Sequence, residues 1–185
     1  MSLVGFKARN HPQQAADPDV DDRAITPADF APLAARFGFT VDAAATAHNA
    51  RLPTYLTPAD NALELPWAGR IWCNPPYSDI GPWVAKAWVE HRRGVELIVL
   101  LLPANRTEQK WWQRAIEPYR DRGLGLSVEF LPGRMRFLRN GATDIKPNER
   151  PPFGCLLAIW ATAAVDGVER RRRDLQGPHK QGVKP

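Results

Sequence analysis

Cysteine is scarce in this chain: two residues in 185, Cys73 and Cys155. They lie far apart, form no CxxC pair and sit in apolar runs, which excludes a disulfide framework and a thiolate metal site. Both read as buried thiols of a reducing compartment, and no metal is expected. Long apolar runs are missing too. The longest, LIVLLLPA at 97–104, falls well short of the roughly 18 residues that a membrane-spanning helix needs. The first residues also lack the apolar core of a signal peptide. A cytoplasmic protein that does not enter membranes is therefore expected. A hydrophobic content of 44% over this length supports one domain with a real core and leaves too little chain for two.

Charge is of low excess and uneven placement. The formal net charge is +5. From Glu169 to Pro185 six positive residues (Arg170, Arg171, Arg172, Arg173, Lys180, Lys184) face two negative ones (Glu169, Asp174), so the tail alone carries +4. Residues 166–185 thus read as a basic disordered tail, with contact to nucleic-acid phosphates as the sharper alternative. Residues 1–23, with NHPQQAADPDVDD and no apolar period, read as a flexible arm. The domain is predicted over 24–165.

Within it, ITPADFAPLAARFGF carries the marks of a three-turn helix. Thr26 can cap it, Pro27 suits its first turn, Asp29 is placed for a reciprocal cap, and Gly38 can end it. FTV then leads into Asp42 as a short buried strand with an acid at its carboxyl end. A second TPAD, Thr57 to Asp60, predicts another capped turn, and RIWC at 70–73 predicts a strand. Ile80, Trp83, Val84, Ala87, Trp88 and His91 follow the helical spacing, which predicts a helix to about Arg93 with Gly94 as its stop. VELIVLLLP lacks polar alternation, the pattern of a strand covered on both faces. Thr107 is placed to start a helix carrying Trp111 and Trp112. SVEFLPGRMRFL predicts a hairpin turning at Pro132-Gly133, and FGCLLAIW a last buried strand. The fold class expected is α/β, a sheet flanked by helices with a β-rich C-terminal end.

Two prolines follow Asn74 where the RIWC strand ends. Asn74-Pro75-Pro76-Tyr77 cannot continue a central strand or enter a helix, so it is a rigid loop that presents its side chains and carbonyls in a set direction. In a sheet of parallel strands, ligands bind beyond the carboxyl ends. Asp42 and this loop both occupy such positions and are expected to share one pocket.

These residues resemble a family: amino-group methyltransferases with an (Asp/Asn/Ser)-Pro-Pro-(Tyr/Phe/Trp) motif after a strand, and more closely the small phage-type DNA N-6-adenine methyltransferases. The likeness rests on ITP, FTVDAAATAHNA, ALELPW, WCNPPYS, VLLLPA, and EFLPGRMRF followed by PPFGCLLAIW, in that order over about 25–160. It implies an abbreviated Rossmann-like sheet, since only 27 residues separate Asp42 from Gly69, too few for two extra strand-helix units. It further implies S-adenosylmethionine as methyl donor, double-stranded DNA as partner, and the N6 amine of adenine as acceptor. On this likeness Asn74, Pro75, Pro76 and Tyr77 are the catalytic loop, with Tyr77 stacking on the target base. Asp42, Ala43, Thr26, Pro27 and Asn49 are the cofactor-binding candidates, and Arg106, Arg134, Arg136 and Arg139 the DNA-binding ones. Asp60, Asn61 and Glu64 compete for the cofactor ribose, and Trp67 is the tryptophan to watch at the site. The sequence departs from many methyltransferases in having Ala43-Ala44-Ala45 where they have a glycine-rich loop. Three alternatives stay open: methylation of cytosine N4, methylation of a protein glutamine, and a DNA-binding module on the same fold without turnover.

Overall fold

The LIVLLLP run lies at the centre of the molecule. In the computed structural model, which describes residues 21, 23–139, 142 and 153–162, the run forms strand β4 (Leu97–Pro103), buried at every position. The elements before it are β1 (Arg23–Ile25), α1 (Pro27–Phe37), β2 (Val41–Asp42), β3 (Arg70–Cys73) and α2 (Gly81–Arg92). After it come α3 (Lys110–Ala115), β5 (Leu126–Phe130), β6 (Phe137–Arg139) and β7 (Cys155–Ala161). A five-stranded sheet has the order β2-β3-β4-β7-β5, and β1 and β6 form a separate two-stranded ribbon. Strands β2, β3 and β4 run parallel, while β7 is antiparallel to both of its neighbours. The β-rich C-terminal end is this antiparallel half.

Successive strand residues point to opposite faces, and here both faces are covered. Ile98, Leu100 and Leu102 pack with Val84 and Ala87 of α2 and with Trp112 and Ile116. Leu97, Val99 and Leu101 pack with Phe30, Leu33 and Phe37 of α1 and with Phe137 of the ribbon. That explains the lack of alternation in β4 and, by the same argument, in β7. Helix α1 is bounded as its sequence predicts. The Thr26 hydroxyl oxygen accepts the Asp29 N–H at 3.0 Å and donates to the Asp29 carboxylate at 2.8 Å. At the other end Gly38 adopts φ 61°, and its N–H reaches the Ala34 carbonyl. A cap of this kind is worth about 1 kcal/mol. Between β2 and β3 the chain forms no further strand: it makes turns, a single 3-10 turn at Pro58–Asp60 and one isolated parallel bridge from Tyr55 to Asp42, so the sheet is short on this side.

Two expectations are corrected. The hairpin across Pro132-Gly133 does not form: β5 pairs with β7, and β6 pairs with β1 on the other side of the sheet. The long apolar β7 needs neighbours on both edges and takes β4 and β5, while Met135 and Phe137 follow the chain into the α1 cluster. Arg134 and Arg136 therefore precede β6 rather than sharing a strand, although both still face outward while Met135 and Phe137 are buried. Helix α3 starts later than Thr107, with Gln109 at its N-cap position. Helix α2 forms as the spacing predicts, and its buried set includes Lys86 and Glu90 as well as Val84 and Ala87, because the two charges pair inside at 2.6 Å. The basic tail and nearly all of the N-terminal arm lie outside the described residues.

Candidate active site

Parallel pairing of β2 with β3 sets Asp42 beside Trp72, so both strands end at the same edge and Asn74 follows one residue after β3. Asp42 is only 3% exposed. Its Oδ2 accepts the Arg51 N–H at 3.0 Å and its Oδ1 the Ala44 N–H at 3.4 Å. Burial pushes the carboxyl above the usual aspartate range, and those two N–H groups, with the Arg51 charge, pull it part of the way back. A carboxylate can accept about four hydrogen bonds, so capacity remains.

The Asn74 amide is held by one side only. Its Nδ2 donates to the Arg23 carbonyl at 2.7 Å, while its Oδ1 is buried without a partner among the described residues. A backbone carbonyl can only accept, so the NH₂ must face Arg23 and the oxygen must face the other way. Buried side-chain oxygens are rarely left unpaired. Pro75 is buried and Pro76 half-buried, and none of the hydrogen bonds among the described residues ends on the Pro75 carbonyl. Two charged side chains tie the loop down from outside. The Arg106 guanidinium donates to the Tyr77 carbonyl, and the Asp21 carboxylate accepts the Ser78 N–H at 3.0 Å and the Ser78 hydroxyl.

Tyr77 anchors the loop from within. Its ring lies 6.1 Å from those of Phe137 and Phe153, and its buried hydroxyl has no well-formed hydrogen bond. Burial, then the neighbouring Cys155, raises the phenol well above its ordinary value. Burial also raises the thiols, Cys155 to about 11 and Cys73 well above the ordinary value. Both cysteines are free and buried. They belong to the packing under the loop.

A narrow crevice at this edge brings together Asp42, Asn49 and Asn74 of the predicted residues with Arg23, Ala44, Arg51 and Trp72. The other candidates sit elsewhere. Ala43 is fully buried in the core, Thr26 is engaged in the α1 cap and Pro27 is exposed on its first turn. Asp60 accepts from the Thr57 N–H and hydroxyl, while Asn61 and Glu64 are exposed. Trp67 is core, with its indole N–H on the Ala62 carbonyl at 2.8 Å. Arg134, Arg136 and Arg139 are exposed, and Arg136 comes within 3.9 Å of Asp29.

Sequence reasoning missed β1, Arg23 and Arg51. The two β1 carbonyls at Arg23 and Ile25 receive the Asn74 amide and the Arg51 Nε, the latter at 2.7 Å, so one strand edge orients two side chains of the crevice. A three-residue strand has no periodicity to read. Only the β-branched Ile25 before Thr26-Pro27 hinted at it. Among the described residues no group of His, Cys, Asp and Glu could hold a metal ion, and no helix is long and apolar enough to cross a membrane.

Comparison with known proteins places this geometry in context. Residues 14–171 match the family described as DNA N-6-adenine-methyltransferase (Dam). The chain is also 33% identical over 136 residues to the DNA N-6-adenine-methyltransferase of Haemophilus phage HP1 (strain HP1c1), an alignment that covers 67% of this chain and 75% of that protein.

Proposed function

The chain belongs to the DNA N-6-adenine-methyltransferase (Dam) family and is an enzyme that methylates adenine in DNA at N6; on that premise we propose that the crevice between β1, β2 and β3 is where the methyl transfer occurs, with S-adenosylmethionine as donor. One observation carries the assignment: the Asn74 Oδ1, buried, without a partner among the described residues and turned away from β1 by the bond from Nδ2 to Arg23.

The adenine N6 amine is a weak nucleophile because its lone pair is delocalised into the ring. Two acceptors on its two N–H groups, held where they cannot turn away, favour a pyramidal nitrogen and return the lone pair. Asn74 Oδ1 supplies one, and the Pro75 carbonyl, fixed by the two prolines, supplies the other. The chain thus contributes orientation and preorganised dipoles rather than a strong base. Reaching these acceptors requires the base to leave the duplex stack. Such a base would stack on Tyr77, whose ring is held in place by Phe137 and Phe153. Arg106 holds the loop carbonyl of Tyr77, and Arg134, Arg136 and Arg139 offer exposed cations to the phosphates.

The residues present suit the donor. A buried carboxylate with unused accepting capacity, Asp42, favours a cationic group such as the donor's ammonium, and Asn49 and Ala44 line the same crevice. When bound, S-adenosylmethionine supplies an electrophilic methyl group on a sulfonium. The abbreviated sheet is read as a shortened Rossmann-like one, with β2 and β3 as the donor-binding strands. Incubating the protein with labelled donor and either duplex DNA or a glutamine-containing peptide, then digesting and identifying the labelled species, tests the proposal. N6-methyladenine is expected. Label in cytosine or in the peptide would overturn the acceptor assignment.

A further inference from the structure

Asp42 and Arg51 place opposite charges in one crevice without joining them. Each influences the other electrostatically, yet no ion pair between their side chains forms among the described residues. Instead the Arg51 main-chain N–H serves the Asp42 carboxylate, and the Arg51 side chain turns its Nε to the Ile25 carbonyl at 2.7 Å. That bond fixes the guanidinium plane while its two terminal nitrogens keep their hydrogens uncommitted among the described residues. Both side chains line the crevice beside Asn74. A fixed carboxylate and a fixed guanidinium, separated and both partly desolvated, lack the mutual contact that would offset the cost of burying them. A ligand carrying the complementary pair of charges would supply it, and guanidinium binds carboxylate in a bidentate fork.

We propose that Arg51 is a binding residue for the carboxylate of an α-amino-acid zwitterion whose ammonium is held by Asp42. This deepens the reading of the crevice as the methyl-donor site and rests on it: the zwitterion is the amino-acid end of the donor. Arg51 thus selects donors that retain a free carboxylate, and β1 orients it through Ile25 as it orients Asn74 through Arg23.

The test is calorimetric and needs no turnover. S-adenosylmethionine, decarboxylated S-adenosylmethionine and 5′-methylthioadenosine are titrated into the wild-type chain and into Arg51→Gln. In the wild type, the carboxylate-bearing ligand should bind at least about tenfold more tightly than the decarboxylated one, the scale of one charge-assisted contact. In Arg51→Gln that ratio should fall towards one, with the decarboxylated ligand and 5′-methylthioadenosine nearly unaffected, which also shows that the variant is folded. A ratio unchanged by the substitution, or a wild type indifferent to the carboxylate, would overturn the assignment of Arg51 while leaving the donor site in place. If none of the three ligands binds the wild type, it is the donor site itself that fails.

Discussion

The two ends of the parallel strands treat buried charge differently. At the amino ends of β3 and β4, charges are taken inside in matched sets. Glu90 is fully buried and meets Lys86 Nζ at 2.6 Å, Arg93 at 2.7 Å and the Trp67 N–H at 3.2 Å. Beside it Arg70 bonds the Phe37 carbonyl and pairs with Glu96. At the carboxyl ends, Asn74 Oδ1 and Arg23 Nε are buried without partners among the described residues, and Asp42 and Arg51 share a crevice with no ion pair between them. Burial acts on both carboxyls in the same direction, yet the outcomes diverge. Glu90 is raised by burial but held below its ordinary value by Lys86, the Trp67 N–H and Arg93, whereas Asp42 stays raised. The ion-paired network of Lys86, Glu90 and Arg93 fastens α2 to the loop before β3, whereas Asp42 and Arg51 leave charge unpaired among the described residues for a ligand to meet.

Breaking the satisfied end should have the largest effect on stability. Glu90→Ala leaves Lys86 buried without its anion, and losses of this kind run to about 3 kcal/mol or more. Denaturant unfolding should show this, with donor affinity of the folded fraction unchanged. The pH dependence sharpens the contrast. Glu90, depressed when folded, stabilises above its ordinary value of 4.5 and loses that contribution as pH falls through the folded value. The stability gap between wild type and Glu90→Gln should therefore narrow in acid. Asp42, raised when folded, contributes fully below its ordinary value of 3.8 and loses it as pH rises through the folded value, so wild type should gain on Asp42→Asn in acid.

A smaller effect is expected at the open end. Asp42→Asn should weaken donor binding by about 1.5–3 kcal/mol, the worth of a charged hydrogen bond, with less loss of stability than Glu90→Ala. Isothermal titration of the donor and thermal unfolding measure the two. Arg106→Ala removes one tether of the loop at Tyr77 and should cost about 1 kcal/mol of transition-state stabilisation, seen as a several-fold slower single turnover. Smallest is Arg134→Ala. If it contacts a phosphate, the slope of log K against log salt for DNA binding should flatten by about 0.9, with the single-turnover rate unchanged. A rate loss there as large as at Arg106 would blur the division between loop and surface.

How much of this was legible depended on how local the signal was. The ends of α1, the cover on both faces of β4 and the break at Asn74-Pro75-Pro76 follow from side-chain stereochemistry within a few residues, and the sequence was enough. The meeting of Asp42 with Asn74 needed one further step, parallel pairing of two strands. The ribbon between Arg23–Ile25 and Phe137–Arg139 was out of reach, because its partners are more than a hundred positions apart and neither strand is longer than three residues. The hairpin misreading has the same origin: Pro132-Gly133 is good turn chemistry, but β7 competed for β5 and offered a buried edge. The burial of Lys86 and Glu90 carried no signal in the helical spacing, and only their pairing and the Trp67 N–H show why they are inside. Arg51, after an irregular loop, carried no local mark at all.

The central claim is that Asn74 acts on the acceptor amine and not on the donor. Single-turnover methyl transfer to duplex DNA, measured on Asn74→Ala beside calorimetric binding of the donor, tests it most directly. Loss of one oriented acceptor should slow transfer about 100-fold or more while donor affinity stays within about twofold of wild type. Undiminished transfer by Asn74→Ala, or a loss of rate traced wholly to weaker donor binding, would contradict it.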